Sequence, residues 1–600
     1  MIRDDRFLRR EYMLTLIPVM FSVLAGTINT LIDSAFVARR LGSDALAAVN
    51  MCGPLYQVIC TLGSLLAGGA SILSSQEEGR ENTENSRRYY HTVLLLGVIL
   101  GLVCSLAGVL ACRPIAGLLA QSLSAPESGL TVYVYDYCLV SFFGLSGVVL
   151  AYIPLYYLQL EGRRREIIRM MWIMILADIV LDGIFLYVFD WGMKGAAAAS
   201  AVSMAASCIY GFFALQSKDS GYRFQPGLLG VWGWREIVKY GSPVAIGNLL
   251  DALRLLCLNG IILRTAGASG AAVWAVLNCF SELSLCISSG VPQTAGPMIA
   301  VFHAVRENSG IRILMRLQLR IGMWMTGIFS LALLLGNRGI RELFALSESV
   351  FWPLLCLGIS LFFEMLCSCW SSLFNSTDRI ALSNLLVGLK RFFFPVAVAL
   401  ALAGAGLAGN LLWSFLPVSG LLSVLGTAAV TLSLSARSRR KGHPLSGLLL
   451  LDDELEREGR VLDFSTETIA EKICEASERI RDFCIKNRMD ERETISIGMA
   501  IEELLVVMKA ANPQMESVDL RVFALEDTTG IRVRSAGKRY NPFEKAQEAA
   551  REAAQKALTE SGEQDMFYLG VTMLQNMAKE TSHSYALGMN TLFLSFERKE

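Results

Sequence analysis

The chain has 600 residues, 53% of them hydrophobic and 18% charged, with 54 basic and 54 acidic side chains that cancel to a formal net charge of zero. A soluble protein carries about a quarter charged residues, and the shortfall is uneven: residues 451–600 hold 29 acidic and 20 basic groups, against 25 and 34 in the 450 residues before them. This distribution excludes a disordered chain, a nucleic-acid binder driven by overall positive charge and a single soluble globule; it predicts a membrane body with an acidic soluble tail.

The basic opening (Arg3, Arg6, Arg9, Arg10) runs into an apolar stretch longer than a signal-peptide core, so no cleaved leader is expected. A membrane span needs about 20 apolar residues. Twelve stretches qualify, near 14–37, 45–73, 90–112, 131–158, 167–189, 193–215, 236–264, 271–299, 314–335, 349–374, 382–403 and 407–435. Several contain proline (Pro18, Pro54, Pro154, Pro243, Pro292, Pro395), which survives in lipid where neighbouring helices or a wet cavity satisfy the freed backbone. The loops on the N-terminal side carry 23 Lys and Arg against 7 on the other, which predicts both termini in the cytoplasm. Twelve of the 14 cysteines precede residue 440 in apolar runs, there is no CxxC, and histidines number four, so neither disulfides nor structural zinc are expected.

The spans repeat. Arg-Glu-Asn at 80–82 recurs at 306–308, Pro18 echoes Pro243, and Gly-Ser-Asp-Ala (42–45) faces Ala-Ser-Gly-Ala (268–271), at an offset of 225 or 226. Six spans per repeat make both halves enter from one side, with a pseudo-twofold axis along the membrane normal and a substrate site between them. The expected domains are 1–222 and 223–440, two six-helix lobes; 441–460, a linker after the basic stop Arg437, Arg439, Arg440 and Lys441; and 461–600, a tail. The tail pattern predicts an amphipathic helix with Ile469, Ile473, Ala476, Ile480 and Phe483 on one face, and a second helix at 491–511. Strands around 518–522 and 531–533, helices at 545–558 and 567–580 and a last strand at 591–597 complete an α/β sandwich.

Ionisable groups inside spans are costly and mark pathways. Asp33, Asp136, Asp178, Asp182, Asp251, Glu282 and Glu364 stand out, with Arg254 the one evident partner, three residues after Asp251. Asp178 and Asp182 share a helix face four residues apart, so either one holds a proton or a cation sits between them. Asp136 falls near the outer end of its span and reads as an interface residue, whereas Glu282 and Glu364 are candidates for a second site in the later half.

The strings IDSAFVARRLGSDALAAVN (32–50), GGASILSSQEEG (68–79), LEGRRREIIRMMWIMILADIVLDGIFLYVFDWGMKGAAAASAVS (160–203) and GVPQTAGPMI (290–299) resemble landmarks of the multidrug and toxic compound extrusion (MATE) family over about residues 10–435. The resemblance implies a secondary antiporter that expels organic, often cationic, compounds while Na+ or H+ enters. It assigns cation coupling to Asp33, to Asp178 and Asp182, and to Ser200, with Asp178 standing where the family usually has Asn. It aligns Glu282 and Glu364 loosely with an acid of the second lobe.

The tail strings GMAIEELLVVMKAANPQ (498–514), GKRYNPFE (537–544) and YALGMNTLFLSF (585–596) resemble the GHKL ATPase fold of anti-sigma-factor serine kinases. The resemblance matches the general base to Glu503, but Val507 replaces the Mg2+-holding Asn and Ser535 the adenine-reading Asp, two residues before the loop glycine Gly537. Valine offers no ligand to a hard cation, so a pseudo-ATPase that regulates or docks is expected, with no ATP use, no resident cofactor and no metal beyond the coupling ion. The implied protein is an all-α polytopic transporter of a bacterial-type cell membrane with a cytoplasmic α/β tail. Its implied partners are a small organic substrate, lipid and a protein bound by the tail, without nucleic acid. A membrane sensor whose tail captures a regulator, a nucleotide-driven pump or kinase, and a flippase for lipid-linked substrates are the alternatives.

Overall fold

The computed structural model describes residues 6–80, 82–121, 128–217, 220–343, 349–406, 409–440, 445–452, 460–487, 489, 491–525, 528–557 and 568–597. Arg3, Glu81, Lys441 and most of the expected linker (441–444 and 453–459) lie outside them.

Among the described residues twelve helices are long and apolar enough to cross a membrane, with mean hydropathies from 1.2 to 2.8 in their most apolar windows. They are α1 (Arg6–Leu41), α2 (Ser43–Gly79), α3 (Thr83–Leu110), α4 (Ser128–Leu160), α5 (Arg164–Val188) and α6 (Gly192–Leu215) in the first lobe. The second lobe has α7 (Trp234–Gly267), α8 (Val273–Ala304), α9 (Asn308–Leu335), α10 (Phe351–Ser376), α11 (Ile380–Gly404) and α12 (Phe415–Arg440). Several outrun the apolar stretches: α1 starts at Arg6, eight residues before its apolar run, and its first turns project toward the tail.

The repeat is structural. Gly42 and Gly267, 225 positions apart, both take positive φ (90° and 66°) where the chain turns from α1 to α2 and from α7 to α8. A side chain is strained in that region, and glycine is not. Short helices follow α3 (Cys112–Gln121) and α9 (Asn337–Leu343), and a π-helical segment ends α5 (Gly183–Val188) and another interrupts α11 (Leu389–Phe393).

The lobes touch from mid-depth to the face from which α1 starts and at which α12 ends, here the tail-side face. A Cβ on Gly69 of α2 would lie 2.1 Å from the carbonyl oxygen of Ile237, and one on Gly241 of α7 would lie 2.1 Å from that of Leu65, so only glycine permits this approach. Closer to the face, Tyr12 Oη donates to Val291 O (3.0 Å), Gln159 Nε2 to Gln293 O (3.0 Å) and Gln76 Nε2 to Asp378 Oδ1 (2.8 Å). Asp378, in the α10–α11 turn, is partly buried, which by itself would raise its pKa. Bonds from His303, Tyr240 and Gln76 outweigh that and hold its carboxyl below the usual carboxylate range.

The tail is a five-stranded antiparallel sheet with helices on one face. Strands β1 (Val461–Glu467), β2 (Ser517–Ala524), β3 (Thr528–Ala536), β4 (Glu580–Ala586) and β5 (Met589–Glu597) are ordered β1-β2-β3-β5-β4. Val518, Leu520, Val522, Ile531, Val533, Leu592 and Leu594 face helices α13 (Ala470–Lys486), α14 (Glu491–Ala511), α15 (Pro542–Ala557) and α16 (Leu569–Met577) in one apolar core. Two strands, β1 and β4, were not apparent in the sequence pattern. Strand β1 occupies the start of the tail, and the helix expected to reach 580 ends at Met577 and is followed by β4. Ile469 is not on the buried face of α13: it precedes the helix in extended backbone and is exposed.

Candidate coupling site

Helices α1, α5 and α6 converge on three carboxylates. Asp33, Asp178 and Asp182 each place one oxygen within 4.8 Å of the others. Asp178 and Asp182, one turn apart on α5, are fully buried, and Asp33 is partly so. Ser200 Oγ on α6 donates to Asp33 Oδ2 (2.9 Å), so all four residues singled out for the first lobe come together. Ser203, one turn further along α6, donates to Asp178 Oδ1 (2.9 Å). Sequence reasoning missed Ser203, although the spacing of three from Ser200 on one helix face was a usable signal.

Four acceptor oxygens of this cluster, Asp33 Oδ1, Asp178 Oδ2 and both of Asp182, are buried without a hydrogen-bond partner among the described residues. Asn29 Oδ1, one turn before Asp33 on α1, is orphaned in the same way. Buried polar atoms are almost always paired, and unpaired carboxylate oxygens in a confined space are the ligand set of a hard cation or the acceptors of a proton. The hydroxyls orient two of the carboxylates and leave their other oxygens unbonded among the described residues.

The acids of the second lobe are arranged differently. Asp251 does pair with Arg254 (3.3 Å), but it also accepts from Arg391 of α11. Glu364 pairs with Lys390 Nζ at 2.5 Å. The expectation that Arg254 is the one evident partner is therefore corrected: Lys390 and Arg391, adjacent in the π-helical turn of α11, both turn inward and neutralise acids of α10 and α7. The cost of an unpaired charge in a span explains the pairing. Glu282 makes no ion pair among the described residues and lines a cavity of about 110 Å3 with Asp251, Arg254, Glu364, Lys390 and Arg391. Asp136 pairs with Lys194 (3.4 Å) at a partly exposed position.

In the tail, Val507 is 2% exposed and packs in the apolar core with Leu504, Leu505, Val571 and Leu574. The Glu503 carboxylate lies against Gly570 of α16, where an added Cβ would meet Oε2 at 2.0 Å. Ser535 is buried in β3, opposite Asn590 of β5. Gly537 takes φ 137° and is held by the chain around it: its N–H donates to Gly588 O (3.1 Å), its carbonyl accepts from Tyr585 Oη (3.0 Å), and Asn512 Nδ2 fills the space a Cβ would need, while the loop lines a cavity of about 300 Å3.

Residues 18–184 match the family model MatE. The chain is 22% identical over 333 residues to "Probable multidrug resistance protein YoeA" of Bacillus subtilis, covering 53% of this chain and 69% of that protein. It is 23% identical over 286 residues to "Multidrug export protein MepA" of Staphylococcus aureus, covering 47% of this chain and 62% of that one. Among solved structures, a MATE transporter in an outward-facing conformation aligns over 73% of this chain and 98% of its own, with a TM-score of 0.64 at 20% identity. A transporter of the MOP superfamily from Pyrococcus furiosus aligns over 72% and 97% with a TM-score of 0.66 at 19% identity. With twelve spans in two repeated lobes and acids gathered on the first and fifth helices, the membrane body has the fold of the solved MATE transporters, and its residues 18–184 match that family's model.

Proposed function

We propose that the protein is a cation-coupled antiporter that exports organic, chiefly cationic, compounds across a bacterial-type cell membrane, with both termini in the cytoplasm. The observation that carries this reading is the carboxylate triad Asp33, Asp178 and Asp182 with its orphaned buried oxygens. Three negative charges this close, away from bulk water, repel strongly. Uptake of Na+ or H+ relieves that repulsion, and a cationic substrate does the same, so the two compete for one lobe. Binding of one favours release of the other, and rocking of the lobes exposes the site to each side in turn. The multidrug names of the bacterial relatives support the substrate class. In the second lobe the internal pairing of Asp251 and Glu364 leaves Glu282 as the carboxylate open to substrate.

The tail acts as a non-catalytic regulatory domain of degenerate GHKL type. Val507 in the apolar core supports this reading. Calorimetry of the full chain with Mg·ATP tests it, and micromolar binding overturns it.

The coupling reading is tested by efflux from vesicles under separate proton and sodium gradients. The double substitution Asp178→Asn/Asp182→Asn is expected to abolish cation-driven export while the protein still reaches the membrane. Export at the wild-type rate in that variant removes both residues from the mechanism.

A further inference from the structure

The face of the tail sheet opposite its helices carries Asp519, Arg521, Arg532 and Arg534. An antiparallel sheet covered on one side normally turns such a face to water, yet these four residues are 1%, 2%, 6% and 1% exposed. Arg532 lies over the Phe523 and Phe593 rings of the sheet itself, and the tail-side face of the membrane body meets Arg521 and Arg534. Arg534 Nη1 lies 2.6 Å from Glu307 Oε2, in the α8–α9 turn of the second lobe, and its guanidinium stacks 4.5 Å from the centre of the Phe302 ring. Asp519, across from it in register, lies 3.7 Å from the same Nη1. Arg521 donates to Arg306 O (3.2 Å), and Ser309 Oγ donates to Asp463 of β1 (2.5 Å).

The same sheet also holds the first lobe. Leu587, in the β4–β5 turn, donates its N–H to Leu160 O in the α4–α5 turn, and Gly588 abuts Gly162 so closely that a Cβ on Gly162 would lie 2.3 Å from Gly588 N. Ala586, Leu587 and Met589 join the apolar core of the body. Arg10 of α1 bonds Glu516 at 2.6 Å. The two anchorages belong to one hydrogen-bonded unit, because Ala536 of β3 pairs with Met589 of β5.

We infer that the tail is a strap across the seam between the lobes, and that its docked sheet holds the transporter closed on the tail side. The α4–α5 turn belongs to one lobe and the α8–α9 turn to the other, so separating the lobes at this face breaks either the Arg534–Glu307 anchorage or the Leu587–Leu160 anchorage. Opening toward the tail is therefore coupled to undocking of the sheet, and whatever lifts the sheet permits that half of the cycle. The inference rests on the rocking-lobe part of the proposed antiport. Its test reads exposure of the seam, not efflux, so a failure of cation coupling leaves the outcome intact.

The experiment is hydrogen–deuterium exchange of the full chain in lipid nanodiscs, comparing wild type with Glu307→Gln, Arg521→Gln and the double variant. Each substitution weakens one contact of the second-lobe anchorage, and Glu307→Gln keeps size and a hydrogen-bonding group, so the body folds as before. Segments 71–80 of α2 and 290–304 of α8, which form the seam, are expected to exchange about threefold faster or more in the double variant, together with 305–310. The far-side start of α2 keeps its wild-type rate. Two results overturn the strap. In one, 305–310 becomes exposed while the seam stays protected, so the sheet leaves without loosening the lobes. In the other, 305–310 stays protected in the double variant, so these contacts do not hold the tail.

Discussion

Arg534 and Glu307 form an ion pair at 2.6 Å with 1% and 0% of their side chains exposed, joining a strand of the tail to a turn of the membrane body. Removing one partner of a buried pair strands the other charge, at a cost of about 3–5 kcal/mol. Arg534→Met alone is expected to lower the thermal stability of the docked tail by that amount. Arg534→Met combined with Glu307→Leu recovers the part due to the stranded Glu307 charge, while Asp519, buried 3.7 Å from the same guanidinium, still loses that cation. A double-mutant cycle read by thermal unfolding checks the sign and size of the coupling.

Ser203 aims one carboxylate of the triad. Ser203→Ala removes a hydrogen bond to a carboxylate, worth about 1.5–3 kcal/mol. Asp178 then loses orientation without losing charge. The cation concentration needed for half-maximal export is expected to rise about tenfold, since 1.4 kcal/mol is a factor of ten. The maximal rate changes less. Concentration series in vesicles separate the two effects.

Lys390 keeps Glu364 neutralised at 2.5 Å within the second lobe. Lys390→Ala is expected to cost about 3 kcal/mol by leaving a carboxylate unpaired in a span. Glu364→Gln in the same chain restores stability. If Lys390→Ala alone melts at the wild-type temperature, the pairing contributes nothing.

Gly241 sits where α7 meets α2, with Leu65 O 2.1 Å from the position of an added Cβ. Gly241→Ala forces the lobes apart at the seam and is expected to cost about 1–3 kcal/mol through overpacking. It should also raise exchange at 60–70, because backbone atoms cannot move aside as a flexible side chain would. Wild-type protection there contradicts the close approach.

His583 of β4 gives the tail a pH response. Burial holds its imidazole below the ordinary 6.5, and Arg539 adds to this against an opposing bond with Asn590. Between the folded value and 6.5 the unfolded tail binds more protons than the folded one, so stability falls as pH drops through that window. The tail transition is expected at a lower temperature at pH 5.5 than at pH 7.5. His583→Asn reduces the difference, and an unchanged difference in that variant assigns the response to other groups.

The twelve spans, the repeat at 225 residues, the tail helices and the acids of α1 and α5 were all legible in the amino-acid sequence. Those features are written in local quantities: runs of hydropathy, the spacing of Asp178 and Asp182 on one helix face, glycines at equivalent turns. Two strands escaped notice because short alternation in β1 and β4 is weak beside the helical signals around them. The tertiary structure alone decided which partners meet. Lys390 and Arg391 lie on a different helix from the acids they neutralise. The alternating charges of β2 and β3 look like a solvated face until the body covers them. A pattern along one chain records which side of a strand is polar, but whether water or another charged surface meets that side depends on packing between elements hundreds of residues apart.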